Sequence, residues 1–502
     1  MKNLTTTICF AVILLLGSAG ISWSQDLRRG WIAYQSGDYA TALREWEPLA
    51  IQGEAFAQFN LGLMYDRGQG VPQDYKTAVK WYSLAAEQGY SYAQFSLGVM
   101  YAKGQGVPQN DKTAVKWYRL AAEQGDAVAQ SNLVVMAETG KVVAQSNLGE
   151  MYKNGRGVPQ DYKRAAKWYT LAAEQGNAIA QFNLGLMYEN GQGLPQDYKT
   201  AVKWYRLAAE QGDANASFNL GLMYRQGKRV PQDDKTAVKW YKLAAEQGNA
   251  DAQYLLGEMY NEGKRVRQDD KTAVKWFKLA AKQGNAVAQY LLGEMHDTGH
   301  GAPQNDKTAV KWYKLAAKQG DADAQYNLGL KYDKGQGVPQ DHKTAVKWYK
   351  LAAEQGNADA QYNLGLKYDK GQGVPQDYKT AVKWYRLAAE QGKARAEDNL
   401  GVMYANGKGV IQDYKTAVKW FRLAAEQGYA NAQYNLAVMY ANGQGVIKDN
   451  VYAHIWLNIA ASSGDKDAVK NRNGLAKRMT AADISKAQDL ARKCVRRNYK
   501  GC

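Results

Sequence analysis

The sequence predicts an all-α, right-handed superhelical solenoid of about eleven 36-residue antiparallel helix pairs with terminal caps, on three observations. First, the tryptophans set a period: Trp168, Trp204, Trp240, Trp276, Trp312, Trp348, Trp384, Trp420 and Trp456 each stand 36 residues from the next, and Trp81 and Trp117 keep the same step. Second, each period holds two stretches with small or apolar residues at helical spacing. Third, glycine closes both stretches. A unit this short cannot bury its own apolar face, so it stacks on its neighbours.

The unit at 358–392 shows the logic. Ala360, Leu364, Gly365 and Tyr368 mark the packed face of a first helix over 358–370. Gly371 suits a left-handed C-cap, and the following Gly-Gln-Gly-Val-Pro blocks continuation. Asp377 is placed to cap a second helix over 378–391, packed through Ala381, Tyr385, Ala388 and Ala389 and ended by Gly392. Alanine and glycine let the helices approach closely, while Trp384, Tyr385 and Tyr368 fill the space between layers.

These residues carry a resemblance. A-x-A-Q-x-x-L-G-x-x-Y, then G-x-G-V-P-x-D, then A-x-x-W-Y-x-x-A-A-x-x-G, resembles the Sel-one-like repeat (SLR), a relative of the tetratricopeptide repeat, in its exported bacterial type. The likeness covers about 53–464 and recurs some eleven times. It implies a scaffold that hosts protein partners, and does not name the partner.

In chain order, residues 1–24 read as a secretory signal: Lys2 gives the charged start, 8–16 the apolar core, and Ser22-Trp23-Ser24 a small-x-small cleavage site. The apolar run is shorter than the roughly 20 residues of a membrane-spanning helix, and Cys9 inside it lacks a lipidation context. No other stretch is apolar enough to span a bilayer, so the mature chain is expected to be exported and soluble, in the periplasm or secreted. Residues 25–53, with Trp31, Tyr34, Gly37, Tyr39, Ala42 and Trp46, read as a divergent tetratricopeptide-like N-terminal cap. Residues 54–464 form the repeat solenoid, with an irregular unit near 126–150. There VAQSNL occurs at Val128 and again at Val143, and the step from Trp117 to Trp168 is fifteen residues too long, close to four helical turns. The excess is an inserted helix or an extension of its neighbour. Residues 465–502 read as C-terminal capping helices, the last one opened by Thr480 and Asp483.

The formal charge of +17 has a regular source. Second helices carry basic residues at i, i+4 and i+7, as in Lys235, Lys239, Lys242; Lys271, Lys275, Lys278; and Lys379, Lys383, Arg386. Aligned, they make a basic stripe, either a solvated outer face or an attraction for envelope polymer, anionic lipid or acidic protein. No nucleic-acid-reading motif appears, and none is expected of an exported chain.

Export leaves Cys494 and Cys502, which could close a disulfide over the C-terminal tail. The resemblance also brings a secreted, cysteine-rich branch associated with β-lactam binding or hydrolysis, which staples each repeat with a cysteine pair. No repeat here contains cysteine, which argues against that activity. His296 and His300 have the i, i+4 spacing of two metal ligands on a helix, yet His296 replaces a core tyrosine and His300 sits in a glycine loop. Both read as ordinary substitutions, and no metal or cofactor is expected. The G-x-G elements follow helices and recur in nearly every unit, so they read as turns. No serine or cysteine nucleophile is paired with a base, and the chain is not expected to be an enzyme.

By the tetratricopeptide likeness, first-helix positions two, five, nine, twelve and thirteen face an inner, concave surface. Position five is aromatic in Phe59, Phe95, Phe182, Phe218, Tyr254, Tyr290, Tyr326, Tyr362 and Tyr434, with Ser146 and Asp398 as exceptions. Such a ladder either suits an extended or helical peptide or packs between first helices as core. Position nine (Leu63, Glu150, Glu258, Glu294, Leu330) and position twelve (Lys153, Arg225, Asp297, Asp333) vary as a groove of differing local chemistry would. The expected function is a non-enzymatic protein-interaction scaffold of the bacterial envelope. The alternative is binding of a cell-wall polymer or other anionic envelope glycan, and β-lactam chemistry stands behind both.

Overall fold

A computed structural model describes residues 25–227 and 230–501, so the expected signal at 1–24 and Cys502 lie outside the described residues. Those residues form 27 helices and, among them, no strand. They divide between Gln247 and Gly248 into two compact units. In the first, the hairpin Gln25–Ser36 and Tyr39–Ile51 precedes five pairs, from Ala55–Arg67 with Tyr75–Glu87 to Ala214–Gln226 with Asp234–Glu246. In the second, six pairs run from Ala250–Glu262 with Asp270–Lys282 to Ala430–Asn442 with Asn450–Ser462, closed by Lys466–Ala476 and Ala481–Arg496. Within each unit a first helix packs on its own second helix, which packs on the next first helix.

Local chemistry fixes the hairpins. Asp377 Oδ1 accepts from the Lys379 and Thr380 amides at 3.0 and 3.2 Å, and Thr380 Oγ1 donates to Oδ2 at 2.6 Å, so the second helix starts where its amides find an acceptor. Gly371, at φ 67°, ends the first helix in the left-handed conformation. Between the two helices, a ring lies flat on a glycine: a Cβ at Gly365 would sit 2.7 Å from Tyr385 Cδ1, and one at Gly62 2.6 Å from Tyr82 Cδ1. The pairing explains a covariation within the chain. Where alanine replaces this glycine, at Ala437, the residue twenty positions on is Leu457, and both are buried.

The repeated A-x-A-Q and E-Q-G are a buried hydrogen-bond relay. Gln361 Nε2 donates to the Ala353 carbonyl at 3.1 Å, and Gln391 Nε2 donates to Gln361 Oε1 at 2.8 Å. The same pair of bonds recurs at Gln94 with Gln124 and at Gln325 with Gln355. The first glutamine of each pair adds a second donor to a helix-terminal carbonyl that already accepts the amide of the closing glycine, as the Gly356 amide does for Ala353 at 3.0 Å, and so ties that helix end to the next hairpin.

The fifteen-residue excess forms a separate helix, Ala127–Glu138. At the place of the close-packing glycine it carries Val134. A cleft of about 330 Å³ opens there, lined by Gln130, Ser131, Val134, Val135, Leu148, Tyr152 and Val158. The insertion also reverses the chain's direction. In regular units the second loop glycine seats on the start of the preceding second helix: a Cβ at Gly106 would meet Tyr75 O at 2.3 Å. One at Gly157 would meet Ala122 O, at the far end of Asp111–Glu123, at 2.2 Å.

Candidate interaction surface

The nine position-five aromatics are neither core nor free; all are half-buried. Each of eight lies against the buried aromatic of its own second helix, with centroids 5.8 to 6.2 Å apart, from Phe59 on Tyr82 to Tyr362 on Tyr385. One side of the ring is thereby held by the core, and the other edge reaches the first-helix face. In the first unit these residues are phenylalanines, and in the second they are tyrosines. Two of the hydroxyls take up asparagines of the following helix: Asn363 Nδ2 donates to Tyr326 Oη at 3.4 Å and Asn471 Nδ2 to Tyr434 Oη at 2.7 Å. Asp398, an exception at position five, accepts from Asn435 at 2.8 Å in the same register, and Ser146 is buried.

Position twelve departs from expectation. Instead of lining an open groove, Asp297 and Asp333 are drawn into contacts between neighbouring repeats. Lys331 and Lys367, 5% and 4% exposed, stand where most units have a core methionine. Lys331 pairs with Asp297 and with Asp306 Oδ1 at 2.8 Å, and Lys367 pairs with Asp333 and with Gln372 Oε1 at 3.1 Å. Burial opposes the charge on Lys331, and the bonds to Asp297 and Asp306 outweigh it, holding its pKa above the usual lysine value. Asp333 also takes His342 Nδ1 at 2.7 Å and the Tyr349 hydroxyl at 3.4 Å. Position nine is mixed: Glu258 accepts from Tyr254 of its own helix, and Glu150 sits 3.5 Å from Arg119.

Two buried carboxyls form no ion pair among the described residues. Glu397 and Asp398 are 3% and 5% exposed where other units carry glutamine and an aromatic. Burial pushes Glu397 up to about 7, and pushes Asp398 up to about 6 against the opposing effect of Asn435. Their signal in the sequence is the break in A-x-A-Q at Ala394-Arg-Ala-Glu-Asp.

The basic residues Lys235, Lys239, Lys242, Lys271, Lys275, Lys278, Lys379, Lys383 and Arg386 are all exposed. Lys275 and Lys383 fold their ammonium groups over Trp276 and Trp384 at 5.5 and 5.6 Å. Cys494 is buried and disulfide-bonded; Cys502, expected as its partner, lies outside the described residues. His296 and His300 turn to separate partners, the Pro303 carbonyl at 3.2 Å and Thr298 Oγ1 at 3.0 Å. Among the described residues no cluster of three His, Cys, Asp or Glu side chains could hold a metal, and no helix is long and apolar enough to cross a membrane.

The Sel1 repeat family matches eleven stretches: 55–90, 91–126, and nine consecutive ones from 142–177 to 430–465. The chain is a Sel1 repeat protein. Its repeats fall on the helix pairs, and the inserted helix falls in the gap. This Sel1 repeat protein is similar to the crystal structure of a protective antigen present in uropathogenic Escherichia coli strains that displays an SLR fold. The two share 37% identity and a TM-score of 0.63 over 91% of this chain and 96% of the other. A Sel1 repeat protein from Oxalobacter formigenes shares 34% identity over 64% of this chain and 93% of its own, with a TM-score of 0.46. No curated protein matches this chain. Sel1 repeat proteins are generally protein-interaction scaffolds, and the solenoid is typically non-enzymatic.

Proposed function

We propose that this Sel1 repeat protein is an exported, non-enzymatic scaffold of the bacterial envelope that binds protein partners on its first-helix face. The observation that carries this reading is the half-buried ring at position five. Its inner side is immobilised on a core aromatic, so a partner gains the outer edge as contact area with little further loss of side-chain freedom. The hydroxyl–asparagine contacts of Tyr326 and Tyr434 add polar groups at fixed places beside that edge. Placement in the envelope rests on the signal-like start of the sequence and on the likeness to a protective antigen.

The test is capture from a native envelope fraction by the full mature chain, with Tyr326→Leu/Tyr362→Leu as the comparison. Leucine keeps packing against Tyr349 and Tyr385 while removing the ring edge and hydroxyl. One or a few proteins retained at half-molar salt by the native chain and lost with the variant support the reading. Equal retention by both, or recovery of polymer alone, overturns it.

A further inference from the structure

Two loops of the second unit present a large aliphatic side chain to water where their neighbours present proline or arginine. Each loop between first and second helix reads Gly-x-x-apolar followed by one further residue, which is Pro303, Pro339 or Pro375 in three of these loops and Arg267 in another. In the last two loops it is Ile411 and Ile447, 91% and 90% exposed. The valines just before them, Val410 and Val446, fold against the core, so each loop has already buried the apolar residue its packing uses. Isoleucine also gives up the backbone restriction that proline supplies. Neither change helps the isolated fold.

The surroundings are cationic. Lys408 and Lys415 flank Ile411, Lys448 follows Ile447, and all three are exposed, with no ion pair among the described residues. The adjacent acids are occupied: Asp413 caps the Lys415 and Thr416 amides and accepts from Thr416 Oγ1, and Asp449 caps the Tyr452 amide. The helix that begins after Ile411 continues with exposed Lys419, Arg422 and Leu423. A side chain nine-tenths exposed has no protein wall around it, so its apolar surroundings must come wholly from the other party. A bilayer supplies them to any protruding tip, and anionic headgroups meet the lysines.

We propose that the loop tips at Ile411 and Ile447 seat the second unit on an anionic lipid bilayer, the isoleucines entering the acyl boundary and Lys408, Lys415 and Lys448 meeting headgroup phosphates. The test is co-sedimentation of the full chain with vesicles of phosphatidylcholine alone or containing one-third phosphatidylglycerol, at low and half-molar salt. Ile411→Pro/Ile447→Pro gives both loops the residue their neighbours carry, so the fold should hold, and a melting curve verifies it. A second variant is Lys408→Gln/Lys415→Gln/Lys448→Gln. The native chain should partition onto the anionic vesicles about tenfold better than onto the neutral ones. The proline pair should lower that partition about tenfold at both salts, and the glutamine triple should abolish the preference for anionic lipid. No preference by the native chain overturns the proposal. So does undiminished binding by the proline pair, which would leave only coulombic attraction to the lysine rows. Capture of soluble polyglutamate that is lost with the proline pair would overturn it as well, because the tips would then serve a polymer with no acyl phase.

Discussion

At pH 8, Glu397→Gln should stabilise the protein. In other units the glutamine at this position donates to the carbonyl eight residues earlier, as Gln433 does to Ala425 at 3.2 Å. A carboxylate at 397 has no proton for the corresponding Ala389 carbonyl, whereas a carboxylic acid has one. The second partner, Gln427 Nε2, lies 2.8 Å from Glu397 Oε2 and accommodates either form. With 3% exposure and no ion pair among the described residues, burial raises the group from an ordinary 4.5 to about 7. At 1.36 kcal/mol per pH unit that gap corresponds to about 3 kcal/mol. Below pH 4.5 both folded and unfolded chains hold the proton, and there is no penalty. As pH rises to 7 the unfolded chain releases it while the folded chain keeps it, so stability falls, and above 7 the whole penalty applies. Glutamine, an uncharged isostere of the acid, should therefore change nothing at pH 4 and add about 3 kcal/mol at pH 8. Because repeats open locally, the assay is amide hydrogen exchange across Ala394–Asn406 in the full chain at both pH values, alongside thermal melts. A gain of equal size at both pH values, or a loss at pH 8, would refute the reasoning.

Three further outcomes follow from the packing. Asp333→Ala strips Lys367 of its one carboxylate partner among the described residues and should cost about 3 kcal/mol, whereas Lys367→Met, the residue most units carry, should fall within about 1 kcal/mol of the native chain; thermal melting separates the two. Gly365→Ala pushes a methyl into the Tyr385 ring and should cost about 2 kcal/mol, with Tyr385→Leu recovering part of the loss in the double variant, as the Ala437–Leu457 pair suggests. Gln361→Leu removes one donor from the Ala353 carbonyl and one acceptor from Gln391, each of which keeps a backbone partner, and should cost about 1 kcal/mol, read as faster exchange along the helix Ala358–Lys370.

The helix pairs were legible because their signals are local. Gly371 and Asp377 end and start helices whatever surrounds them, and the tryptophan period carries the stacking. What surrounds a residue from another repeat was not. Glutamine reads as a surface residue, and only the neighbouring hairpin reveals Gln361 as a buried relay. Lysine at 331 and 367 reads as an outer-face charge until acids from the preceding repeat are placed beside it. The position-five rings sit between the two roles considered for them, since half of each ring belongs to Tyr349 or its counterparts and half to the open face. The inserted helix had a readable sign: Glu138-Thr-Gly-Lys141 resembles the Glu-Gln-Gly-Asp that ends second helices, marking a helix complete in itself.

A stack of hairpins alternates like a two-colour ribbon, and one unpaired helix exchanges the colours. Beyond Ala127–Glu138 the first helices run parallel to the second helix that came before, as the seating of Gly157 on Ala122 requires, and alternation places them in its row. Within the first unit, a ligand lying along the rings at Phe59 and Phe95 therefore meets lysine-bearing second helices on continuing past the insertion, while Phe182 and Phe218 look out from the reverse side. A chain relieved of residues 127–141 would bring all four rings onto one side, so those fifteen residues determine whether this unit offers one long binding track or two short ones set back to back.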